Sequence, residues 1–182
     1  EMCIRDRDIL SRKEEYNKIA EKVVGHVENG TTDQAPDILK VPTSDYTSHD
    51  RWSVEMKNIF QTLPLMLALS IEMPNPGDYK AMEVTGIPVL ITRDKNNKVN
   101  AFRNVCTHRG AIIAQEGIGN RSRFSCPYHG WTYSNTGDLM GVTDKPKFGD
   151  IDNKCFGLEK LQCKELAGMI FVSLSRNEDI AV

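Results

Sequence analysis

Two short segments of the chain carry the donors of a metal centre: Cys106-Thr107-His108 and Cys126-Pro127-Tyr128-His129. Each supplies one thiolate and one imidazole, and residues Arg109 through Ser125 lie between them. Such a mixed set could hold zinc, which accepts tetrahedral sulfur and nitrogen ligands. Zinc-finger sites, however, pair Cys with Cys and His with His, whereas here the two types interleave. A [2Fe–2S] cluster whose two thiolates bind one iron and whose two imidazoles bind the other gives this interleaving, because each segment then reaches both irons. The spacing favours iron–sulfur. A structural zinc module, whose sole role is folding, is the alternative.

The flanking residues suit either duty. Gly110 and Gly130 lack Cβ, so their N–H groups could approach the cluster sulfides and tune a potential. Pro127 fixes φ and stiffens the second segment. Trp131 and Tyr128 would shield a cluster from water or serve as plain core aromatics. Of the remaining cysteines, Cys3, Cys155 and Cys163 show no pairing logic and read as free thiols in a reducing compartment, the latter two as small buried hydrophobes. His26 and His49 read as exposed or capping histidines, not ligands. The charged run Lys145, Lys147, Asp150, Asp152 and Lys154 reads as a solvated loop.

The elements that must position these donors are legible from periodicity. Ser11-Arg12-Lys13-Glu14 fits a capping box, and Tyr16, Ile19, Ala20, Val23, Val24 and Val27 recur at three- and four-residue steps, predicting a helix from about Arg12 to Glu28 that ends near Gly30. Residues 29–46 show no period and read as a connecting arm. Asp50 could cap a second helix with Trp52, Met56, Ile59 and Phe60 on its inner face, ending at Pro64.

Short β-branched and apolar runs follow. The expected strands are Leu65–Ser70, Tyr79–Thr85, Pro88–Arg93, Val99–Arg103, Arg123–Cys126, Trp131–Ser134, Leu158–Glu165 and Met169–Leu174. Asp94–Lys98, Asn135–Asp138 and Ala167-Gly168 are natural hairpin turns. The expected fold class is mostly β, a small antiparallel sheet assembly behind an N-terminal α-helical arm.

Bulk properties exclude other functions. A formal net charge of −2 without a basic block argues against nucleic acid. The longest apolar stretch, Leu63–Leu69, is far short of a membrane span and contains Pro64. The charged N-terminus has no apolar secretory core, so a cytoplasmic location is expected. Glu1 precedes the first Met, which reads as the edge of a longer chain, and residues 1–10 are assigned no function.

The run Cys106-Thr107-His108-Arg109-Gly110, followed by Cys126-Pro127-Tyr128-His129-Gly130-Trp131-Thr132-Tyr133, resembles the Rieske domain of ring-hydroxylating oxygenase large subunits, the Rieske non-haem iron oxygenases. The likeness extends through Pro74–Tyr79, Ala101–Val105 and Gly137-Asp138-Leu139, roughly residues 46–175. It implies a Rieske [2Fe–2S] cluster ligated by Cys106, His108, Cys126 and His129, with the histidines on the outer iron. Arg109, Gly110, Tyr128, Gly130 and Trp131 would surround it. The implied organisation is a helical arm over 1–61, a Rieske domain over 62–175, and from 176–182 the start of a linker to a catalytic domain.

In that family electrons pass from NAD(P)H through a reductase, sometimes with a ferredoxin, to the Rieske centre. They continue to a mononuclear Fe(II) held by two His and one carboxylate. No histidine follows His129, so this chain alone is expected to transfer electrons without activating oxygen, in an enzyme of aromatic hydrocarbon catabolism. The histidine at the position of His129 bonds to a carboxylate near a neighbouring subunit's iron, which implies a homotrimer or an α3β3 assembly.

High-potential Rieske proteins add a disulfide between the two cluster loops and a hydroxyl donor after the second loop's Gly, and Ala111, Tyr128 and Trp131 stand at those places. A potential below zero is therefore expected, within the known span of about −150 to +300 mV. A stand-alone Rieske ferredoxin is the alternative, although it would have little use for residues 11–60.

Overall fold

The computed structural model describes residues 3–175, with side chains from residue 12 onward. The expected linker at 176–182 lies outside the described residues. Contacts divide the chain into two units, Glu1–Tyr46 and Thr47–Val182.

In the first unit, α1 spans Cys3–Asn29. It runs through Ser11, so the capping box expected there does not start the helix; no Gly or Pro lies upstream to break it. Its end is as expected. Gly30 takes φ +60°, Thr31 N–H donates to the His26 carbonyl at 2.9 Å, and His26 Nδ1 lies 2.9 Å from Thr31 Oγ1. The stripe Tyr16, Ile19, Val23, Val24 and Val27 is exposed. A single turn, α2 (Ser44–Thr47), spans the boundary. Among the described residues no helix is long and apolar enough to cross a membrane.

The second unit opens with α3 (His49–Glu55), whose cap is Ser48 and not Asp50: the Ser48 hydroxyl accepts from Arg51 N–H at 3.3 Å. A π-helical turn, Met56–Phe60, continues it. The inner face expected for this helix is not buried. Trp52, Ile59 and Phe60 are exposed, and only Met56 is half-buried.

Three antiparallel sheets form the rest. The strands are β1 (Leu65–Leu69), β2 (Asp78–Val84), β3 (Ile87–Arg93), β4 (Val99–Arg103), β5 (Gly117–Asn120), β6 (Arg123–Ser125), β7 (Thr132–Ser134), β8 (Leu139–Gly141), β9 (Lys160–Leu161), β10 (Cys163–Leu166) and β11 (Met169–Val172). They pair in the orders β1-β11-β10, β5-β2-β3-β4-β9 and β6-β7-β8.

The five-stranded sheet is the central layer, and strand alternation explains why. Ala81, Leu90 and Phe102 face the β6-β7-β8 side with Phe124, Trp131, Tyr133 and Leu139. Val89, Ile91, Val99 and Ala101 face the β1-β11-β10 side with Ala68, Ile170 and Val172. Both faces of β3 are therefore covered, which is why it is apolar from Ile87 through Ile91. Each fully buried aliphatic side chain there contributes about 1.5–3 kcal/mol. Arg93 ties the layers together: its guanidinium meets the Glu165 carboxylate of β10 at 2.7 and 3.1 Å and donates to the Asn97 carbonyl at 2.8 Å.

All three expected hairpin turns are present, with left-handed residues Asn97, Gly137, Ala167 and Gly168. The run Leu158–Glu165 is not one strand. It breaks at Gln162, so β9 joins the central sheet while β10 joins β11. Strands β5 and β8 were not expected. Gly117-Ile118-Gly119-Asn120 has the composition of a turn, yet Gly119 is needed in β5, because a Cβ there would sit 2.7 Å from Tyr79 Cε1.

Candidate metal centre

The four candidate donors sit on two turns of the same construction. In the first, Cys106 N–H donates to the Ala111 carbonyl and Gly110 N–H to the Cys106 carbonyl, both at 2.8 Å. In the second, Cys126 N–H donates to the Trp131 carbonyl at 2.8 Å and Gly130 N–H to the Cys126 carbonyl at 3.0 Å. A bridge between Val105 and Ile112 closes the base of the first turn, and the Ser125–Thr132 pair of β6 and β7 closes the second. Each turn places its glycine four positions after its cysteine, at φ +73° for Gly110 and +68° for Gly130.

This corrects the role expected of the glycines. Their N–H groups are committed to cysteine carbonyls and are not free for cluster sulfides. What demands glycine is the left-handed backbone that closes each turn. At Gly130 there is a second reason, since a Cβ would collide with Thr143 Oγ1.

The side chains converge. Cys106 and Cys126 are buried and unbridged. Burial raises the Cys106 thiol, hydrogen bonding with Tyr133 and with the His108 backbone opposes this, and the neighbouring Cys126 adds to the rise. The rings of His108 and His129 are 4.8 Å apart. His129 Nδ1 is buried without a hydrogen-bond partner. Desolvation first, then the charges of His129 and Arg109, hold His108 below the ordinary imidazole value, favouring the neutral form a metal ligand needs.

These observations fit a two-iron cluster: an orphaned imidazole nitrogen and two buried, unbridged thiols. Among the described residues no three His, Cys, Asp or Glu side chains gather as a single-ion site would require.

The surrounding residues divide. Trp131, 2% exposed, stacks on His108 at 5.0 Å and 9°. Phe148 meets the His108 ring edge-on at 5.1 Å. Tyr128, in contrast, is 61% exposed and lies over His129 with centroids 3.8 Å apart. Of the two aromatics weighed as shields, Trp131 is interior and Tyr128 forms the outer surface. Arg109 is exposed, and among the candidates Gly110 faces open space. Cys155 is exposed, contrary to the burial expected for it, and Cys163 is half-buried with its thiol 3.4 Å from the Val99 carbonyl.

Tyr133 was not singled out from the sequence. It is fully buried, and its hydroxyl lies 3.2 Å from Cys106 Sγ, 3.0 Å from Thr107 Oγ1 and 3.2 Å from Thr107 N. Burial, then Cys106, push its phenol far above the usual range, so it keeps its proton. The available signal was the alternation of β7, which turns Tyr133 inward between outward Thr132 and Ser134.

The family described as Rieske [2Fe-2S] domain matches residues 64–162. The large subunit of anthranilate 1,2-dioxygenase from Burkholderia cepacia is 34% identical over 152 residues, covering 78% of this chain and 35% of that protein. The solved structure of naphthalene 1,2-dioxygenase from Rhodococcus sp. bound to indole matches with a TM-score of 0.71 at 33% identity, over 78% of this chain and 33% of that one. A quaternary ammonium Rieske monooxygenase in complex with L-carnitine matches with a TM-score of 0.68 at 30% identity, over 75% of this chain and 39% of that one. The chain spans about a third of the length of the curated relatives it matches, on their N-terminal part. Those relatives are oxidoreductases, dioxygenases and monooxygenases alike. The chain belongs to the Rieske [2Fe–2S] domain family, and corresponds to the cluster-bearing part of a Rieske oxygenase large subunit.

Proposed function

We propose that Cys106 and Cys126 hold one iron of the [2Fe–2S] cluster, that His108 and His129 hold the other, and that the domain relays single electrons. The donor is a reductase or ferredoxin, and the acceptor is a mononuclear non-haem iron in the catalytic portion of a ring-hydroxylating or related oxygenase. The observation that carries this reading is the buried, unpartnered His129 Nδ1 beside His108, with Cys106 and Cys126 both buried and unbridged.

When bound, the cluster supplies a centre with two states one electron apart. The chain's own residues do the rest. The two closed turns hold four donors without rearrangement, which keeps electron transfer from being slowed by ligand movement. Trp131 and Phe148 exclude water from the His108 side. Exposed Tyr128 and half-buried His129 form the face through which an electron can pass to a partner, in an assembly such as a homotrimer or α3β3.

The test is EPR of the anaerobically purified, dithionite-reduced protein. A Rieske-type spectrum is expected in the wild type and its loss in His108→Ser and His129→Ser, because a hydroxyl cannot replace the neutral nitrogen donor. A spectrum that persists in either variant, or a colourless protein holding zinc, overturns the assignment.

A further inference from the structure

Four groups around Cys106 have fewer protons than contacts. Tyr133 has one hydroxyl proton and two acceptors within reach, Cys106 Sγ at 3.2 Å and Thr107 Oγ1 at 3.0 Å. Thr107 N–H occupies the phenol oxygen from the other side at 3.2 Å. Thr107 also has one hydroxyl proton, and it lies 2.9 Å from the Phe156 carbonyl, which can only accept. With that proton given to Phe156, Thr107 Oγ1 is an acceptor, and it competes with the Cys106 sulfur for the proton of Tyr133.

We propose that Thr107 is a positioning residue that sets the cluster's potential through Tyr133: held as an acceptor by the Phe156 carbonyl, it draws the tyrosine proton partly away from Cys106. This rests on the reading of Cys106 as a thiolate ligand. A donor to the sulfur favours the reduced, more negative state and raises the potential, so a competitor for that donor lowers it. The competition is built into the fold. Tyr133 is fixed by its cross-strand pairing with Phe124, and Phe156 by the turn Asn153–Cys155 and by edge contact with Trp131 at 5.7 Å. Both lie within hydrogen-bond reach of Thr107 Oγ1.

The variants Thr107→Val, Thr107→Ala, Thr107→Ser, Tyr133→Phe and the double variant Tyr133→Phe with Thr107→Val test this, with midpoint potentials measured by protein-film voltammetry. Thr107→Val keeps the side-chain shape, and Thr107→Ala adds no bulk should valine hinder cluster loading. Removing the hydroxyl is expected to raise the potential, equivalent to a roughly three- to tenfold shift in the reduction equilibrium, the share of one hydrogen bond to a charged group. Thr107→Ser keeps the wild-type potential, and Thr107→Val has no effect when Tyr133 is already replaced by phenylalanine. A potential at or below wild type in both Thr107→Val and Thr107→Ala overturns the proposal, as does a shift of equal size in the Tyr133→Phe background. A lower melting temperature with an unmoved potential overturns it too, because a merely structural role would do that. The EPR spectrum of each variant reports separately on the ligand assignment: if it persists while the potentials disagree, the ligands stand and the role of Thr107 falls.

Discussion

Tyr133→Phe isolates one hydroxyl next to the centre. The substitution keeps the buried ring against Phe124 and removes only the donor that lies 3.2 Å from Cys106 Sγ. A hydrogen bond to a charged group contributes about 1.5–3 kcal/mol, but Tyr133 divides its proton with Thr107, and the oxidised state retains part of the interaction. The difference between redox states is then on the order of 1 kcal/mol, and a one-electron couple moves by about 59 mV for each tenfold, or 1.4 kcal/mol. The midpoint potential should fall by roughly 40 mV in voltammetry at neutral pH. Burial keeps the phenol protonated, so the drop should persist into mildly alkaline buffer. The variant also leaves Thr107 N–H without its acceptor, at a stability cost of about 1–2 kcal/mol seen as a lower melting temperature. A potential that is unchanged or raised would falsify the claim that Tyr133 donates to the sulfur.

The two turn glycines should differ in tolerance: Gly110→Ala meets open space and costs only the left-handed strain of about 1–2 kcal/mol, whereas Gly130→Ala also drives a Cβ into Thr143. Thermal melts in which Gly110→Ala is equal or worse would refute this. Glu165→Gln should cost about 1 kcal/mol at neutral pH, discounted for the 32% exposure of the carboxylate side chain. Arg93 holds the Glu165 carboxyl below its ordinary value, so the wild-type advantage is present above the unfolded carboxyl value and is lost as pH falls through the folded one. Melting curves that show the same wild-type margin at neutral and strongly acidic pH would contradict the ion-pair account. The midpoint potential itself should lie below zero and fall further as pH rises through the ring ionisations of the bound histidines. A clearly positive value, or one flat into strong alkali, would count against the low-potential reading and against histidine ligation respectively.

The four candidate donors stood out because chemically unusual residues at fixed spacing leave few options, and the hairpins were legible because Asn and Gly announce positive φ. Strand β5 was hidden by the same logic: Gly117 and Gly119 look like a turn, and only the Tyr79 ring across the ladder reveals why glycine stands in a strand. The split of Leu158–Glu165 was hidden because the change of sheet at Gln162 alters partners without any Gly, Pro, Asn or Asp to mark a break. Helix α1 extends past its expected start because a capping pattern is also compatible with a helix interior. Tyr133 and Thr107 were missed for a different reason. Their importance lies in which atoms share a proton, and no spacing rule encodes that.

The two cluster turns share one backbone plan, yet their histidines are offset by one position, two after Cys106 and three after Cys126. With that offset the two rings lie 4.8 Å apart. The remaining differences between the turns divide the work. Beside the first turn, Tyr133, Thr107 and the Phe156 carbonyl share hydrogen bonds next to the Cys106 sulfur. The second faces outward, with Tyr128 exposed over His129 beside a hollow lined by Thr143, Asp144, Lys147 and Phe148. Replacing the Thr107 hydroxyl should therefore change the potential, and substitutions at Tyr128 or Lys147 should change the rate of reduction by a partner at constant potential.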